Sequence, residues 1–396
     1  MGNQTERNTN ATSGFILRWL LMVCSFPAMV SCGDSGIDAS ETPFTLQIPE
    51  HFPTAPVPED NLPTAAKLEL GRFLFYDPLL SFNESYSCAT CHQQALAFTD
   101  GRPVAVGASD QSHSVGSMSL ANVGYAATLG WGNPTLTSLE AQALVPMFNE
   151  DPVELGLSAL TEQDLLDRLQ AEDRYQRLFP AAFPADDEPF TVGNIAKAIA
   201  TFERTIISAN SPYDRYMKGD RSALDASAIR GMNLFFSERL ECFHCHGGFA
   251  MSDSVKSPDF PFTERPFHNN GMYNLGGSGQ YPSNQGVYEL TRERQDLGRF
   301  KAPTLRNIAV TAPYLHDGSI STLDELIDLY AAGGRQISDG PHAGDGTAHP
   351  NKSVFIVGFI LNDNEKQDLM AFLNSLTDEE FLKNPELSDP YKDTTD

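Results

Sequence analysis

Two short cysteine and histidine motifs are the residues of this 396-residue chain whose types and spacing point most directly to chemistry. Cys88-Ala89-Thr90-Cys91-His92 has the pattern C-x-x-C-H, and the pattern returns as Cys242-Phe243-His244-Cys245-His246. Two thiols one helical turn apart can each add to a vinyl group of one porphyrin, and the histidine that follows can then bind the iron. The motifs therefore predict two covalent c-type haems, with His92 and His246 as the proximal iron ligands.

Paired cysteines also occur in dithiol redox sites and in zinc sites, so both alternatives need to be weighed. A dithiol redox motif is typically found beside a β-α-β pattern, and the sequence around Cys88 and Cys242 has none. A zinc site does not require a histidine directly after the second cysteine of both motifs. Haem attachment is therefore the preferred interpretation.

Each motif follows a segment of the same pattern. Residues 68–76 precede the first motif and residues 229–236 precede the second, with Gly71 and Gly231 in the same place and a leucine and two aromatic residues after each glycine. A repeated helix followed by a haem-attachment turn predicts a mainly α fold with two cytochrome c-like helical domains, each around one covalent haem, and with long loops. The aromatic rings would bury part of the apolar haem surface.

The composition is that of a large soluble enzyme. Apolar residues make up 41% of the chain, which suffices for two cores. Lys and Arg number 27 against 52 Asp and Glu, which gives a formal net charge of −25. This charge argues against nucleic acid as a partner and favours a basic protein partner, although it also simply keeps the surface solvated.

The N-terminal segment predicts export. Arg18 precedes an uncharged apolar run at residues 19–30, which is too short to span a bilayer and is typical of a signal peptide. The run ends in Met29-Val30-Ser31-Cys32-Gly33, which is similar to a bacterial lipobox. We therefore expect a signal peptide of the lipoprotein type at residues 1–32 and a periplasmic protein. A lipid on Cys32 would be its only contact with a bacterial membrane.

The remainder of the chain divides by composition and by the repeat. Residues 33–62 are rich in proline and predict an extended tether. We expect an N-terminal cytochrome c-like domain at residues 63–212 and a C-terminal one at residues 213–380. An acidic tail is expected at residues 381–396.

Further candidates for chemistry lie between the two motifs. A peroxidase needs an acid–base group above an open iron site to move the proton of hydrogen peroxide. Glu154, Glu150 and Gln142 are candidates, in or after an amphipathic helix that we predict to break at Pro146. Exposed carboxylates without such a role are the alternative. Trp131 is either an aromatic stepping stone for electrons between the haems or a core side chain.

A longer segment carries a resemblance to a known family. Residues 300–318 read FKAPTLRNIAVTAPYLHDG. Together with both C-x-x-C-H motifs, Asp214-Arg215-Tyr216 and Phe202-Glu203-Arg204-Thr205, this segment resembles the bacterial dihaem cytochrome c peroxidase and MauG family over residues 64–376. The resemblance implies that the haem at His92 is high-spin and reacts with peroxide. The haem at His246 would be six-coordinate and would hold electrons.

The same resemblance implies roles for residues around the haems. Gln142, Pro146 and Glu154 would lie over the open face of the first haem, with Glu154 as the acid–base group and Glu150 as the second choice. Trp131 matches the tryptophan that family members place between the haems.

The resemblance also implies a calcium ion between the haems. Its ligands would be the backbone oxygens of Thr311 and Pro313 and an asparagine side chain. Gly116 stands where that asparagine is expected, and Ser117 is the nearest replacement.

One position separates the two activities of this family. The residue fourteen positions after His316 is a methionine that binds the second haem in the peroxidases and a tyrosine in MauG-like members, and here it is Tyr330. Thr322 predicts the start of the helix that carries it. A thioether favours ferrous iron, whereas a phenolate stabilises more oxidised iron. A tyrosine that only packs in the core is the alternative.

We therefore expect an exported dihaem c-type oxidoreductase that uses hydrogen peroxide to form a high-valent dihaem state and oxidises a side chain of a partner protein. Residues 267–288 make it most similar to the MbnH-type members. The alternative is a dihaem cytochrome c peroxidase that reduces hydrogen peroxide with electrons from a small redox protein. An electron carrier is a third possibility, and it would need His113 as a further ligand of the first iron.

Overall fold

A computed structural model describes residues 44–392 of the chain. The expected signal peptide and Cys32 lie outside the described residues. Within residues 44–392 no helix has the length and apolarity needed to cross a bilayer. One short antiparallel strand pair, β1 (Gln336–Ile337) and β2 (Gly344–Asp345), interrupts the helices and loops. The helices of this part of the chain are α1 (Ala65–Tyr76), α2 (Cys88–Cys91), α3 (Leu139–Phe148), α4 (Glu162–Gln170), α5 (Asp173–Ala182), α6 (Val192–Glu203), α7 (Pro212–Met217), α8 (Ala226–Phe235), α9 (Phe243–His246), α10 (Tyr288–Thr291), α11 (Leu323–Ala331) and α12 (Asp363–Asn374).

Side chains that accept hydrogen bonds from the first turn fix where the site-bearing helices begin. Thr64 accepts from the backbone N–H of Lys67 at the start of α1. Thr322 and Glu325 form a capping box at the start of α11, as the sequence predicted for Thr322. These caps satisfy backbone donors that would otherwise lack partners.

Two close helix crossings explain the sequence repeat. α1 crosses α6, and a Cβ added at Gly71 would lie 1.9 Å from the carbonyl oxygen of Ala198. α8 crosses α12, and a Cβ added at Gly231 would lie 1.8 Å from the carbonyl oxygen of Asp368. Only glycine leaves room for a backbone at this distance. The glycine shared by the two copies therefore marks the crossing on which each half is built.

The hydrophobic interior forms two main cores, one for each haem motif. The first includes Leu70, Leu74, Phe75, Ile199 and Phe202. The second includes Phe235, Phe300, Ile327, Leu369 and Phe372. The expectation of a mainly α protein with two cytochrome c-like helical units is confirmed, and the boundaries at residues 212 and 380 stay predictions.

The segment after residue 380, expected to be an acidic tail, packs against the N-terminal half. Phe381, Leu382 and Leu387 are buried in the first core. The Arg72 side chain donates to the carbonyl oxygen of Ser388 at 2.8 Å. The described part of the expected acidic tail is therefore a structural segment of the N-terminal half.

Residues 48–61 of the expected tether also lie against the body of the protein. Phe52 is buried, with its ring centroid 6.0 Å from that of Tyr125 and 4.8 Å from that of Phe249. The backbone N–H of Thr54 donates to Asp259 at 2.6 Å. Because Tyr125 and Phe249 come from different halves of the chain, this segment bridges the two.

One predicted local feature was wrong. α3 does not break at Pro146 but continues to Phe148. Ser211 and Asp214 form a capping box at the start of α7. Asp214 also makes a buried, two-point ion pair with Arg306, at 2.8 and 3.0 Å. The pairing explains why this charged side chain is buried.

Candidate active site

The first C-x-x-C-H motif lies on the wall of a cavity in the N-terminal half. Cys88 and Cys91 are the end residues of α2, and their thiols form no disulfide. His92 follows, with Nδ1 at 2.8 Å from the carbonyl oxygen of Phe98. This contact assigns the proton to Nδ1 and leaves Nε2 available as a metal ligand.

The second motif lies on the wall of a separate, mostly apolar cavity. Cys242, Cys245 and His246 border it, and α11 contributes Tyr330 to the same wall. The His246 Nδ1 atom is 3.4 Å from the carbonyl oxygen of Met251, which repeats the arrangement at His92 more loosely. The apolar part of the wall consists mainly of Phe235, Leu240, Phe300, Leu305, Ile327, Leu369 and Leu373.

The state of the cysteines and the apolar walls fit haem better than the alternatives. Burial raises the pKa of Cys91 to about 11 and that of Cys242 to about 12. Such thiols are protonated at neutral pH, whereas redox exchange uses thiolates. A flat apolar macrocycle with an iron centre fits a cavity that offers two unpaired thiols, one imidazole and apolar side chains.

The wall of the first cavity also carries the expected acid–base residues. Gln142, Pro146 and Glu154 line it together with His92, whereas Glu150 is exposed and is not part of the wall. The Gln142 Oε1 atom is buried and has no hydrogen-bond partner. Of the two candidate carboxylates, the structure brings only Glu154 to the cavity.

Glu154 has a neighbour that the sequence did not suggest. The Nε2 atom of His113 lies 3.4 Å from its Oε1 atom, and both side chains line the cavity. The first cavity, at about 400 Å³, is also larger than the second, at about 180 Å³. Its wall thus carries groups that can accept and donate protons, as a small reactant such as peroxide requires.

Among residues 44–392, two residues line both cavities, Trp131 and Lys301. The indole Nε1–H of Trp131 donates to the carbonyl oxygen of Gly116 at 2.8 Å. Its ring centroid is 6.5 Å from that of His316. Trp131 therefore borders both sites, and its role as an electron relay stays a prediction. Sequence reasoning did not single out Lys301, because Arg299 and Arg306 lie close by in sequence and nothing local sets the lysine apart.

A small third cavity contains the residues expected around calcium. Thr311, Pro313, Gly116 and Ser117 line it, together with Asp100. The Oδ2 atom of Asp100 is buried and has no hydrogen-bond partner. A carboxylate oxygen with backbone carbonyls is the ligand type that calcium prefers, so the pocket fits this ion. The sequence analysis missed Asp100, which is distant in sequence from residues 311–313.

Tyr330 is held as a neutral phenol by the protein alone. Burial is the main reason that its pKa is raised to about 12, and Asn270 opposes this effect. A cation at hydrogen-bond distance reverses this preference, because a bound metal ion stabilises the deprotonated ligand. The side chain therefore does not titrate near neutral pH without a metal ion, and its role as an iron ligand stays a prediction.

Comparisons with known proteins give a consistent picture. The family of di-haem cytochrome c peroxidases matches residues 65–222. Cytochrome-c peroxidase IdrP1 of Denitromonas iodatirespirans is 34% identical over 342 residues, which cover 82% of this chain and 85% of that protein. Methylamine utilization protein MauG of Methylorubrum extorquens is 31% identical over 374 residues, or 91% and 94% of the two chains.

Solved structures add the fold and a relative of higher identity. The crystal structure of a MauG-like protein associated with microbial copper homeostasis is 44% identical, with a TM-score of 0.86, and covers 88% of this chain and 100% of that one. The diheme peroxidase BthA from Burkholderia thailandensis has a TM-score of 0.63 at 20% identity and supports the fold alone. The relatives thus include proteins named for both activities.

Proposed function

Because the chain belongs to the di-haem cytochrome c peroxidase and MauG family, we propose that it is a MauG-like enzyme that uses hydrogen peroxide to oxidise a side chain of a partner protein. The family assignment makes it a peroxidase-type oxidoreductase with two c-type haems. The choice of the MauG-like activity depends on one observation, which is the presence of Tyr330 on the wall of the second cavity.

The composition of that wall supports a tyrosine ligand over a methionine ligand. Tyr330 and His246 line the same cavity, and the cavity wall within residues 44–392 includes no methionine. Met251 and Met272 are buried elsewhere in the second half. A phenolate oxygen is a hard anionic donor and favours the oxidised states of iron, whereas a thioether favours the reduced state. The second site is thus suited to hold oxidising equivalents.

When bound, the haems supply the redox chemistry with peroxide, and the residues of this chain position the reactants. Cys88 and Cys91 hold the first haem, and the Phe98 carbonyl fixes the orientation of His92. Glu154 takes the proton from one peroxide oxygen and returns it to the other, with Gln142 beside it as a hydrogen-bonding group. This proton transfer uses no group outside the first cavity.

Trp131 and Tyr330 serve the oxidation of the partner. Trp131 lies on the walls of both cavities, so its indole ring would carry electrons between the two sites. Cys242, Cys245 and His246 would hold the second haem. Reduction of one peroxide to water takes two electrons, and a side chain of the docked partner protein would supply both through the second site.

The sequence and one related structure support a proposal for where the enzyme acts. We place the enzyme in the periplasm, tethered by a lipid on Cys32, and propose a role related to that of the MauG-like protein associated with microbial copper homeostasis. Expression followed by membrane fractionation tests the anchor. A Cys32→Ser variant that stays with the membrane would argue against it.

Calcium completes the proposed cofactor set. Asp100 supplies the side-chain oxygen that Gly116 cannot supply, and Thr311 and Pro313 supply backbone oxygens. Metal analysis of protein purified without chelators should find about one calcium per chain. An Asp100→Ala variant that keeps the same calcium content would remove Asp100 from the ligand set.

Tyr330→Phe and Tyr330→Met test the proposed function. The resting wild-type enzyme should show one high-spin and one low-spin ferric haem by electron paramagnetic resonance. It should react with peroxide without prior reduction. Tyr330→Phe should keep both haems attached, lose the low-spin signal and abolish oxidation of the partner. Tyr330→Met should raise the midpoint potential of the second haem, because a thioether favours ferrous iron.

Tyr314→Phe is the matched control, because Tyr314 lines the same cavity and its hydroxyl donates to a backbone carbonyl, that of Ile308, at 3.0 Å. It should leave the signals and the potential unchanged. A wild-type enzyme that is inactive until half-reduced, with a methionine signature on its second haem, would contradict the proposal. That result would establish the cytochrome c peroxidase alternative.

A further inference from the structure

A buried ammonium group lies between the two haem cavities. Lys301 is 9% exposed, and its side chain lines both cavities. The Nζ atom donates to the carbonyl oxygen of Thr128 at 3.1 Å. The backbone N–H of the same residue donates to the carbonyl oxygen of Trp131 at 2.8 Å. The lysine is therefore fixed beside the indole ring that the two sites share.

Lys301 has no anionic partner in the part of the chain that the structure describes. No carboxylate oxygen of residues 44–392 lies within 4.0 Å of its Nζ atom. Two buried arginines do have such partners, since Arg306 pairs with Asp214 and Arg204 pairs with Glu140. Burial alone lowers the pKa of Lys301 to about 8, so the group is still mostly charged at neutral pH.

A buried charge without a counterion is strongly unfavourable, so an anion is expected next to this group. The two cavities that it borders are the haem sites, and each haem carries two propionate carboxylates. We propose that Lys301 is a positioning residue whose ammonium pairs with haem propionates from both cavities and so holds the two cofactors on either side of Trp131. The proposal rests on the presence of two haems and not on the role of Tyr330.

The charge has a further effect on both sites. A cation near a haem favours ferrous over ferric iron, because the reduced state carries one positive charge fewer. A single ammonium that pairs with both haems raises the midpoint potential of each. It also fixes the position of one haem relative to the other. Removing the charge should therefore lower the potentials, and replacing it with another cation should not.

Lys301→Met, Lys301→Gln and Lys301→Arg separate charge from packing. In spectroelectrochemical titrations, we expect Lys301→Met and Lys301→Gln each to lower the midpoint potential of at least one haem by about 59 mV or more. For a one-electron couple, this is a shift of about tenfold or more in the ferric–ferrous equilibrium towards ferric iron. The melting temperature of the haem-loaded protein should fall, because propionates are left buried without a counterion. Lys301→Arg should keep potentials, haem content and melting temperature near those of the wild type.

Lys256→Met is the control. The Lys256 ammonium also donates to one backbone carbonyl, that of Thr137, but its side chain lines neither cavity. Both potentials should stay at the wild-type values in this variant.

Whether the melting temperature of Lys301→Met falls or rises decides between a paired and an unpaired ammonium. A Lys301→Met protein with wild-type potentials and an equal or higher melting temperature would overturn the proposal, because removing an unpaired buried charge stabilises a protein. If Lys301→Met and Lys301→Gln fail to fold while Lys301→Arg folds with both haems, the charge is required, as proposed. If Lys301→Arg fails as well, packing at Thr128 explains the site and the proposal is wrong.

Discussion

At the scale of single residues, the first cavity contains a carboxylate and an imidazole that can take and give protons. Glu154, Gln142 and His92 line this cavity, and the His113 ring lies 3.4 Å from the Glu154 carboxylate. An acid–base catalyst has to take a proton and then give it back, which a carboxylate can do and an amide cannot. Glu154 is therefore the group for which a one-atom change is most informative.

Glu154→Gln should slow the reaction with hydrogen peroxide by about 10²-fold or more, because the amide keeps the shape of the side chain but cannot accept the proton. Stopped-flow absorbance of the haem bands after mixing with peroxide measures this rate. The ferric spectrum before mixing should be unchanged. Glu150→Gln is the matched control, since Glu150 is exposed and lies off the cavity wall. Wild-type rates in Glu154→Gln would remove the carboxylate from the mechanism.

Sequence reasoning singled out residues whose chemistry is indicated by their spacing within or near a motif. Cys88 and His92 were predicted from their motif, and Trp131 and Tyr330 were predicted from their positions relative to family motifs. Asp100 and Lys301 were missed, because what marks them is a missing partner in three dimensions. A free carboxylate oxygen or an unpaired ammonium becomes visible only when the surroundings of the side chain are known.

At the scale of elements, each half depends on one helix crossing with a glycine at its centre. The crossings of α1 with α6 and of α8 with α12 bring a backbone carbonyl to the position that a side chain would occupy. The helix that carries the glycine leads to the haem-attachment turn in both halves. The spacing of the crossing helices thus controls where the haem cysteines lie.

Gly231→Ala should destabilise the protein by about 1–3 kcal/mol, because the added methyl group meets the Asp368 carbonyl and forces α8 away from α12. Denaturant unfolding of the haem-loaded protein measures the change. Gly193→Ala is the control, because the nearest atom to a Cβ there is 3.8 Å away at the start of α6. That variant should be neutral or slightly more stable, since alanine has the higher helix propensity. Equal stability in the two variants would show that α8 and α12 can separate without loss.

Local sequence patterns predicted these helices better than they predicted the ends of other elements. The helical patterns at residues 68–76 and 229–236 correspond to α1 and α8. Pro146 was expected to break α3, but α3 ends two residues later, where the Asn149 N–H still bonds to the carbonyl oxygen of Val145. α6 ends at Glu203, where the Arg204 N–H bonds to the carbonyl oxygen of Ala200. Packing against other elements, which a local pattern does not contain, sets these ends.

At the scale of the whole molecule, segments near both ends of the described chain join parts that are distant in sequence. Phe52 packs between Tyr125 and Phe249, and the Arg306 guanidinium lies 5.0 Å from its ring centroid. The segment after residue 380 returns to the N-terminal half. These contacts explain why the boundaries suggested by composition alone, a tether and a tail, did not describe how the segments pack. Proline content and acidic charge predict solvation but not the few buried aromatic residues that anchor a segment.

The C-terminal segment also supports the first haem site. Phe381 is 3% exposed, and its ring centroid is 5.7 Å from that of Phe98, whose carbonyl oxygen fixes His92. The side chain of Gln94 donates to the carbonyl oxygens of Phe381 and Asn384, at 3.1 and 2.9 Å. The loop that follows His92 is thereby held by residues almost three hundred positions away in the chain.

Phe381→Ala should therefore lower the free energy of unfolding by about 3–5 kcal/mol and disturb the first haem more than the second. The cavity left beside Phe98 lets the carbonyl that orients His92 shift, so the high-spin ferric signal should broaden while the low-spin signal stays sharp. Denaturant unfolding and electron paramagnetic resonance measure the two effects. Phe262→Ala is the matched control, because Phe262 is 67% exposed and should change neither quantity. A Phe381→Ala protein with an altered second haem and an unaltered first one would show that the segment does not act through Phe98 and His92.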